Sequence, residues 1–166
     1  MPLAIDPIAW LKHETACCIH LAKSLQDAQL GFRFTAPQRS TLELLRYLAI
    51  ANEGLLSFII DGNWDRWEVL EGQVKDLDLA GFPAAMQAQQ RRVAKLLSGL
   101  KPSQLKAVIA MPNGTKSTRA AAIEHYLLKM SVGYKMQLFL QAKAAGAAQL
   151  ASSDLWNAKA PKPKKG

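Results

Sequence analysis

Residues 117–146, STRAAAIEHYLLKMSVGYKMQLFLQAKAAG, decide the fold. The stretch contains no proline and is rich in Ala, Leu, Lys and Gln, residues that lose little rotamer freedom in a helix. Ser117 or Thr118 is placed to cap its start, and Gly146 is the residue type that accepts the left-handed conformation at a helix end. At 1.5 Å per residue the helix would run roughly 40 Å, the length of a small domain. Tyr126, Met130, Tyr134 and Gln141 follow one another at spacings of four and seven and so share a face.

Working outward, the rest of the chain divides into three further helices. Asp6-Pro7 is a helix opening, with Asp as the cap and Pro at the first helical position. The helix it starts reads to about residue 28 and aligns Leu11, Cys18, Ile19, Ala22 and Leu25 in one apolar stripe. Glu14 falls on the edge of that stripe, where a carboxylate needs an ionic or hydrogen-bonding partner. His13 and His20 lie on the opposite side and read as two solvated histidines. Residues 31–39, GFRFTAPQR, read as a loop that tucks Phe32 and Phe34 against the bundle. Ser40 and Glu43 form a capping box for a helix to about residue 60, stopped by Asp61-Gly62-Asn63. A long crossover follows, in which Trp64 and Trp67, three apart, are expected to close off the core, with the lining of a ligand pocket as the alternative. The third helix covers residues 82–99, with Phe82, Met86, Val93, Leu96 and Leu97 inward and Arg91-Arg92 outward. Lys101-Pro102-Ser103 opens a turn of helix, and residues 108–114 read as a short strand and turn. Four long helices near 7–28, 40–60, 82–99 and 117–145 make an all-α four-helix bundle.

Composition bounds the rest. A chain of 166 residues with 49% apolar residues suits one soluble domain with a real core, here residues 1–150. No apolar run approaches membrane-spanning length, and the first residues lack the pattern of a secretory signal, so a cytoplasmic protein is expected. The two cysteines, Cys17 and Cys18, are adjacent and cannot easily pair on a helix, so no disulfide framework or zinc knuckle is expected. The net charge is +8, but Lys159, Lys162, Lys164 and Lys165 of the terminal KAPKPKKG contribute four of those charges. Residues 151–166 therefore read as a basic, disordered tail. No aromatic-basic interleaving or recognition-helix motif points to nucleic acid.

Two stretches carry a resemblance. Residues 134–146, YKMQLFLQAKAAG, resemble the last-helix pattern H-R-x-Q-L-x-x-x-L-[KR]-x-x-G of the DinB-like (DinB/YfiT-type) bundle family. Residues 40–49, STLELLRYLA, resemble the same family's second-helix pattern S-x-x-E-L-L-x-H-L-A. The resemblance implies an up-down-down-up bundle with a long crossover between its second and third helices. Many members bind a divalent metal through one histidine of the second helix and an H-x-x-x-H pair of the fourth. Those positions fall here on Tyr47, Met130 and Tyr134. A neutral phenol is a weak ligand and a thioether prefers soft ions, so no metal or other cofactor is expected. Family members are often dimers, and a homodimer through exposed apolar residues of the second helix is the expectation.

No catalytic motif offsets that loss. There is no G-x-S-x-G, phosphate-binding glycine loop, H-E-x-x-H or paired Cys-x-x-Cys, and His13, His20 and His125 include no pair at i,i+4. Two phenols and a thioether in place of three imidazoles would line an apolar pocket with inward hydroxyls, suited to a small organic ligand, or would simply fill the space. The expectation is a small-ligand-binding or interaction module without catalysis, with Tyr47, Met130 and Tyr134 as the ligand site. The alternative is an enzyme resembling the family's thiol-dependent transferases (glutathione, bacillithiol or mycothiol type), with Tyr47 or Tyr134 activating the thiol in place of the metal.

Overall fold

A computed structural model describes residues 6–159. In chain order the helices are α1 (Pro7–Ala22), α2 (Thr41–Asp61), α3 (Asp65–Val74), α4 (Phe82–Ser98) and α5 (Pro102–Lys106). The strands β1 (Val108–Ala110) and β2 (Lys116–Thr118) follow, then α6 (Arg119–Ala144) and α7 (Ser152–Asn157). The bundle is made by α1, α2, α4 and α6, with α1 and α2 at opposite corners and α4 and α6 each packed against both. The crossover from α2 to α4 carries α3, which lies along α2. The strands form one antiparallel hairpin, Val108 opposite Thr118 and Ala110 opposite Lys116. The expected all-α bundle with its long crossover is the observed one. Among the described residues no helix is long and apolar enough to cross a membrane.

Local chemistry sets most helix ends. The Asp6 carboxylate accepts from the amides of Ile8 and Ala9 at 3.0 and 3.1 Å, and Pro7 occupies the first turn. The Ser40 hydroxyl accepts from the Glu43 amide while the Glu43 carboxylate accepts from the Ser40 amide, so two orphan donors are satisfied at once. Gly62 ends α2 with φ of 77°, a conformation that side chains resist. Thr118 caps α6.

The first helix is shorter than its periodicity predicts. It stops at Ala22, and the chain turns into a single 3-10 turn at Asp27–Gln29. The Gln29 side chain donates to the Ala145 carbonyl at 2.9 Å, satisfying an orphan acceptor at the end of α6. The stripe itself is as expected: Leu11, Cys18, Ala22 and Leu25 are buried.

The loop before α2 differs too. Phe34 is half exposed, touching the edge of Phe32, and is not tucked in. Hydrogen bonds hold this loop instead. The buried Gln141 donates to the carbonyls of Phe32 and Arg39, and the Thr41 amide donates to Phe32.

The core has two apolar halves. One gathers Leu21, Leu44, Leu45, Phe82, Leu138 and Leu155, the other Leu56, Ile59, Val93, Ile123 and Leu127. Between them α2 is stitched to its neighbours by buried polar groups. Gln89 donates to the Leu48 carbonyl at 2.8 Å and accepts from the Asn52 and Glu53 amides, and Ser131 donates to Asn52. Each buried polar atom in this layer therefore has a partner that offsets its desolvation.

Residues 152–157, expected as part of a disordered tail, form α7. It docks on α1 and α6, with Leu150 and Leu155 entering the core and Asp154 buried. The reason is apolar burial, since Leu150 and Leu155 are large enough to anchor a short segment. Of the four tail lysines, Lys162, Lys164 and Lys165 lie outside the described residues.

Candidate functional site

The three expected site residues do not form one cluster. Tyr47 of α2 and Tyr134 of α6 face each other across the bundle, ring centroids 4.6 Å apart. Met130, one turn before Tyr134, packs against the other apolar half. The third neighbour of the pair is Trp67 of α3, 5.6 Å from Tyr47. The Trp67 ring lies on Gly54: a Cβ there would come within 2.3 Å of it, so the glycine is what lets α3 lie against α2. Trp64 instead stacks on Phe58 and stays largely exposed.

Arg39 completes this corner. The Gln141 side chain holds its carbonyl at 3.0 Å, and its guanidinium lies 4.0 Å over the Tyr47 ring. Burial, together with the neighbouring Tyr134 hydroxyl, pushes the Tyr47 phenol above its ordinary pKa against the opposing Arg39 charge. Outside Tyr47 opens a cavity of about 200 Å³ lined by Arg39, Arg46, Ile50, Glu71 and Lys75. Arg46 is committed to the Leu77 carbonyl and Glu71 to the Trp67 indole. Glu43 is committed to Ser40 and Arg33, and Lys75 lies 3.9 Å from Asp76. That leaves Arg39, stacked on Tyr47, as the cation at the cavity's rim.

A larger cleft, of about 630 Å³, lies between α2, α3, α4 and α5. Its floor is Glu53, a mid-helix carboxylate whose side chain is only 3% exposed. Arg66 binds one carboxylate oxygen through Nε and Nη2 at 3.1 and 2.5 Å, and Arg92 binds the other through Nε at 2.5 Å. Arg92 is therefore not on a solvated outer face, as its place beside Arg91 suggests. It turns toward α2 because an unpaired buried carboxylate would be costly.

The third concentration of polar groups lies under α7. Glu14 has the partner its position requires: its Oε2 is 2.7 Å from Nζ of Lys135, which is fully buried. Neither atom has another hydrogen-bond partner among the described residues. The Trp156 ring covers the ammonium at 4.3 Å. The two histidines are not simply solvated. His13 Nε2 meets the Trp156 carbonyl and His20 Nε2 meets Asp154, each at 2.7 Å. Both contacts exist because α7 folds back over that face of α1. Cys17 is buried beside His13, with Sγ 3.6 Å from its ring nitrogen, and burial raises the thiol pKa.

Periodicity located Glu14, at the edge of a clear apolar stripe, but not Lys135, Glu53 or Arg92, whose roles are set by partners on other helices. A carboxylate at a core position is the one signal that would have found Glu53. Among the described residues, no large apolar side chain of α2 is among the exposed ones. Among the described residues no group of three His, Cys, Asp or Glu side chains is placed to hold a metal ion.

The comparisons agree with the architecture. No protein-family model matches the chain, and no curated protein matches it. Among solved structures, the crystal structure of a DinB-like protein, YjoA of Bacillus subtilis, superposes with a TM-score of 0.62. The superposition covers 84% of this chain and 91% of that one at 16% sequence identity. This chain has a DinB-like fold.

Proposed function

From that fold, we propose that the protein is a metal-free, non-catalytic bundle that binds a small organic ligand in the cavity outside Tyr47. The observation that carries the reading is the Arg39 guanidinium held 4.0 Å over the Tyr47 ring at the mouth of that cavity. A flat aromatic wall with a cation at its rim suits a small planar or acidic molecule. Tyr134 supports the wall from behind, and Met130 takes no part in it.

The donor chemistry supports the metal-free part. The three positions that correspond to the metal ligands of the resembled family carry two phenols and a thioether. The Tyr47 phenol is held above its ordinary pKa, and so far from the phenolate that would bind a cation. These residues do not fit a divalent metal. The same upward shift speaks against Tyr47 as the activator in the transferase alternative, since activating a thiol asks for a base available near neutral pH.

Elemental analysis of the dialysed protein tests the reading. The expectation is no stoichiometric metal in the parent and metal uptake by the triple variant Tyr47→His, Met130→His, Tyr134→His. About one zinc or nickel per chain in the parent would overturn the metal-free reading. A triple variant that takes up no metal would show that the family positions were misaligned. For the ligand, a ligand-observed NMR screen of small aromatic acids should give hits that Arg39→Ala weakens. Hits indifferent to Arg39 would remove the cavity from the proposal.

A further inference from the structure

The cleft above Glu53 shares no lining residue with the tyrosine cavity, and its chemistry is different. Glu53 lies in the middle of α2, nearly out of contact with water, where a lone carboxylate would be costly. One cation would be enough to neutralise it. Two are present, Arg66 from α3 and Arg92 from α4, so the triad keeps one positive charge in excess.

The geometry of the triad says where that excess charge points. A guanidinium has five N–H donors in a planar fork. Arg66 uses Nε and Nη2 on Glu53, and Arg92 uses Nε alone. Among the described residues, Nη1 of Arg66 and both Nη atoms of Arg92 donate to no protein acceptor. These side chains are 37% and 40% exposed, and both line the cleft. Glu53 thus acts as a buried post that fixes two guanidiniums with free donor edges toward an open space. Groups held in place beforehand lose less freedom when a ligand arrives.

We infer that this cleft binds an organic monoanion, a carboxylate carrying a short apolar chain, through the free edges of Arg66 and Arg92. The cleft's charges favour a single negative charge: Arg66, Arg92 and Lys95 stand against Glu53 and Asp61. Both Glu53 oxygens are already engaged, which leaves little to attract a metal cation. The volume is too large for a bare inorganic ion and falls within the range of small-molecule sites, roughly 300–1,000 Å³. The remaining walls, Ile60, Leu96 and Leu100, supply apolar surface for a chain. Leu96 belongs here: expected on the inner face of α4, it is only half buried and lines the cleft. The inference is independent of the tyrosine cavity.

Titration calorimetry of the full chain with sodium octanoate, and with octanamide as its neutral counterpart, tests it. Octanoate is expected to bind one to one, and octanamide about tenfold more weakly or worse, as the loss of a charge-assisted hydrogen bond implies. Lys95→Glu, an exposed substitution that leaves the fold alone, should weaken octanoate about tenfold, and Ser57→Trp should block the cleft. Methyl NMR shifts should move at Ile60, Leu96 and Leu100 and stay still at Ile50 and Val74. The inference is overturned by no octanoate binding, by equal binding of octanamide, or by indifference to Lys95→Glu. Shifts confined to Ile50 and Val74 would also overturn it by placing the ligand in the tyrosine cavity. Tighter binding of octyl phosphate than of octanoate would overturn the monoanion assignment.

Discussion

Two glutamates are buried among the described residues, and they are neutralised in opposite ways. Glu14 meets a single lysine that is wholly inside, and α7 seals the pair with the Trp156 ring. Glu53 meets two arginines whose outer edges face a cleft. The first arrangement shuts its remaining ammonium donors away from solvent. The second leaves a positive surplus with unused donors. Ion pairing inside a helical bundle is therefore not one device: the number of cations and their exposure separate a structural contact from a binding surface.

The strongest test of that contrast is to break the sealed pair. Lys135→Met leaves Glu14 without its cation under α7, and should cost about 3–5 kcal/mol of stability in urea unfolding. Adding Glu14→Leu should recover most of the loss, because an apolar pair of similar volume needs no desolvated charge. A single Lys135→Met variant as stable as the parent would show that the pair is not the closed contact described here.

The matching change at the open triad should cost less. Glu53→Gln keeps the shape and removes the charge, and the two arginines can turn partly into water because each is more than a third exposed. A loss of about 1–3 kcal/mol is expected from the same unfolding curves. If Glu53→Gln costs more than Lys135→Met, exposure of the cations is not what distinguishes the two sites.

The smallest expected effect is local, at the seal itself. Burial would raise the Asp154 pKa, but the bonds from His20 and from the Ala151 amide outweigh it and hold the carboxyl below the usual range. A depressed acid contributes its stability above its unfolded pKa, about 3.9, and loses it as pH falls through the lower folded value. Docking of α7 should therefore weaken only below about pH 4. The Ala158 amide at the end of α7 contacts the Cys17 thiol, so undocking should uncover it. Labelling of Cys17 by dithiodipyridine should quicken over that acid range while α1, α2, α4 and α6 keep their circular dichroism. Asp154→Asn should show the faster labelling already at neutral pH. An unchanged rate in both conditions would mean that His20 and Asp154 do not hold the seal.

What the sequence determined by itself was the four long helices and several of their ends. Asp6 with Pro7, Ser40 with Glu43, Gly62 and Thr118 each act on amides or carbonyls within a few residues, so their chemistry is readable from neighbours alone. The apolar stripe of the first helix and the demand of Glu14 for a partner were legible for the same reason, since a helix repeats its faces at a known angle. The tertiary structure decided which cation answers each carboxylate. It also packed Met130 on the other apolar half, turned Arg92 inward beside an outward Arg91, and folded residues 152–157 over the two histidines. Those outcomes depend on partners far away in the chain, brought near only when α1, α2, α4 and α6 pack. Periodicity tells a residue which face it occupies, and packing alone tells it what stands opposite.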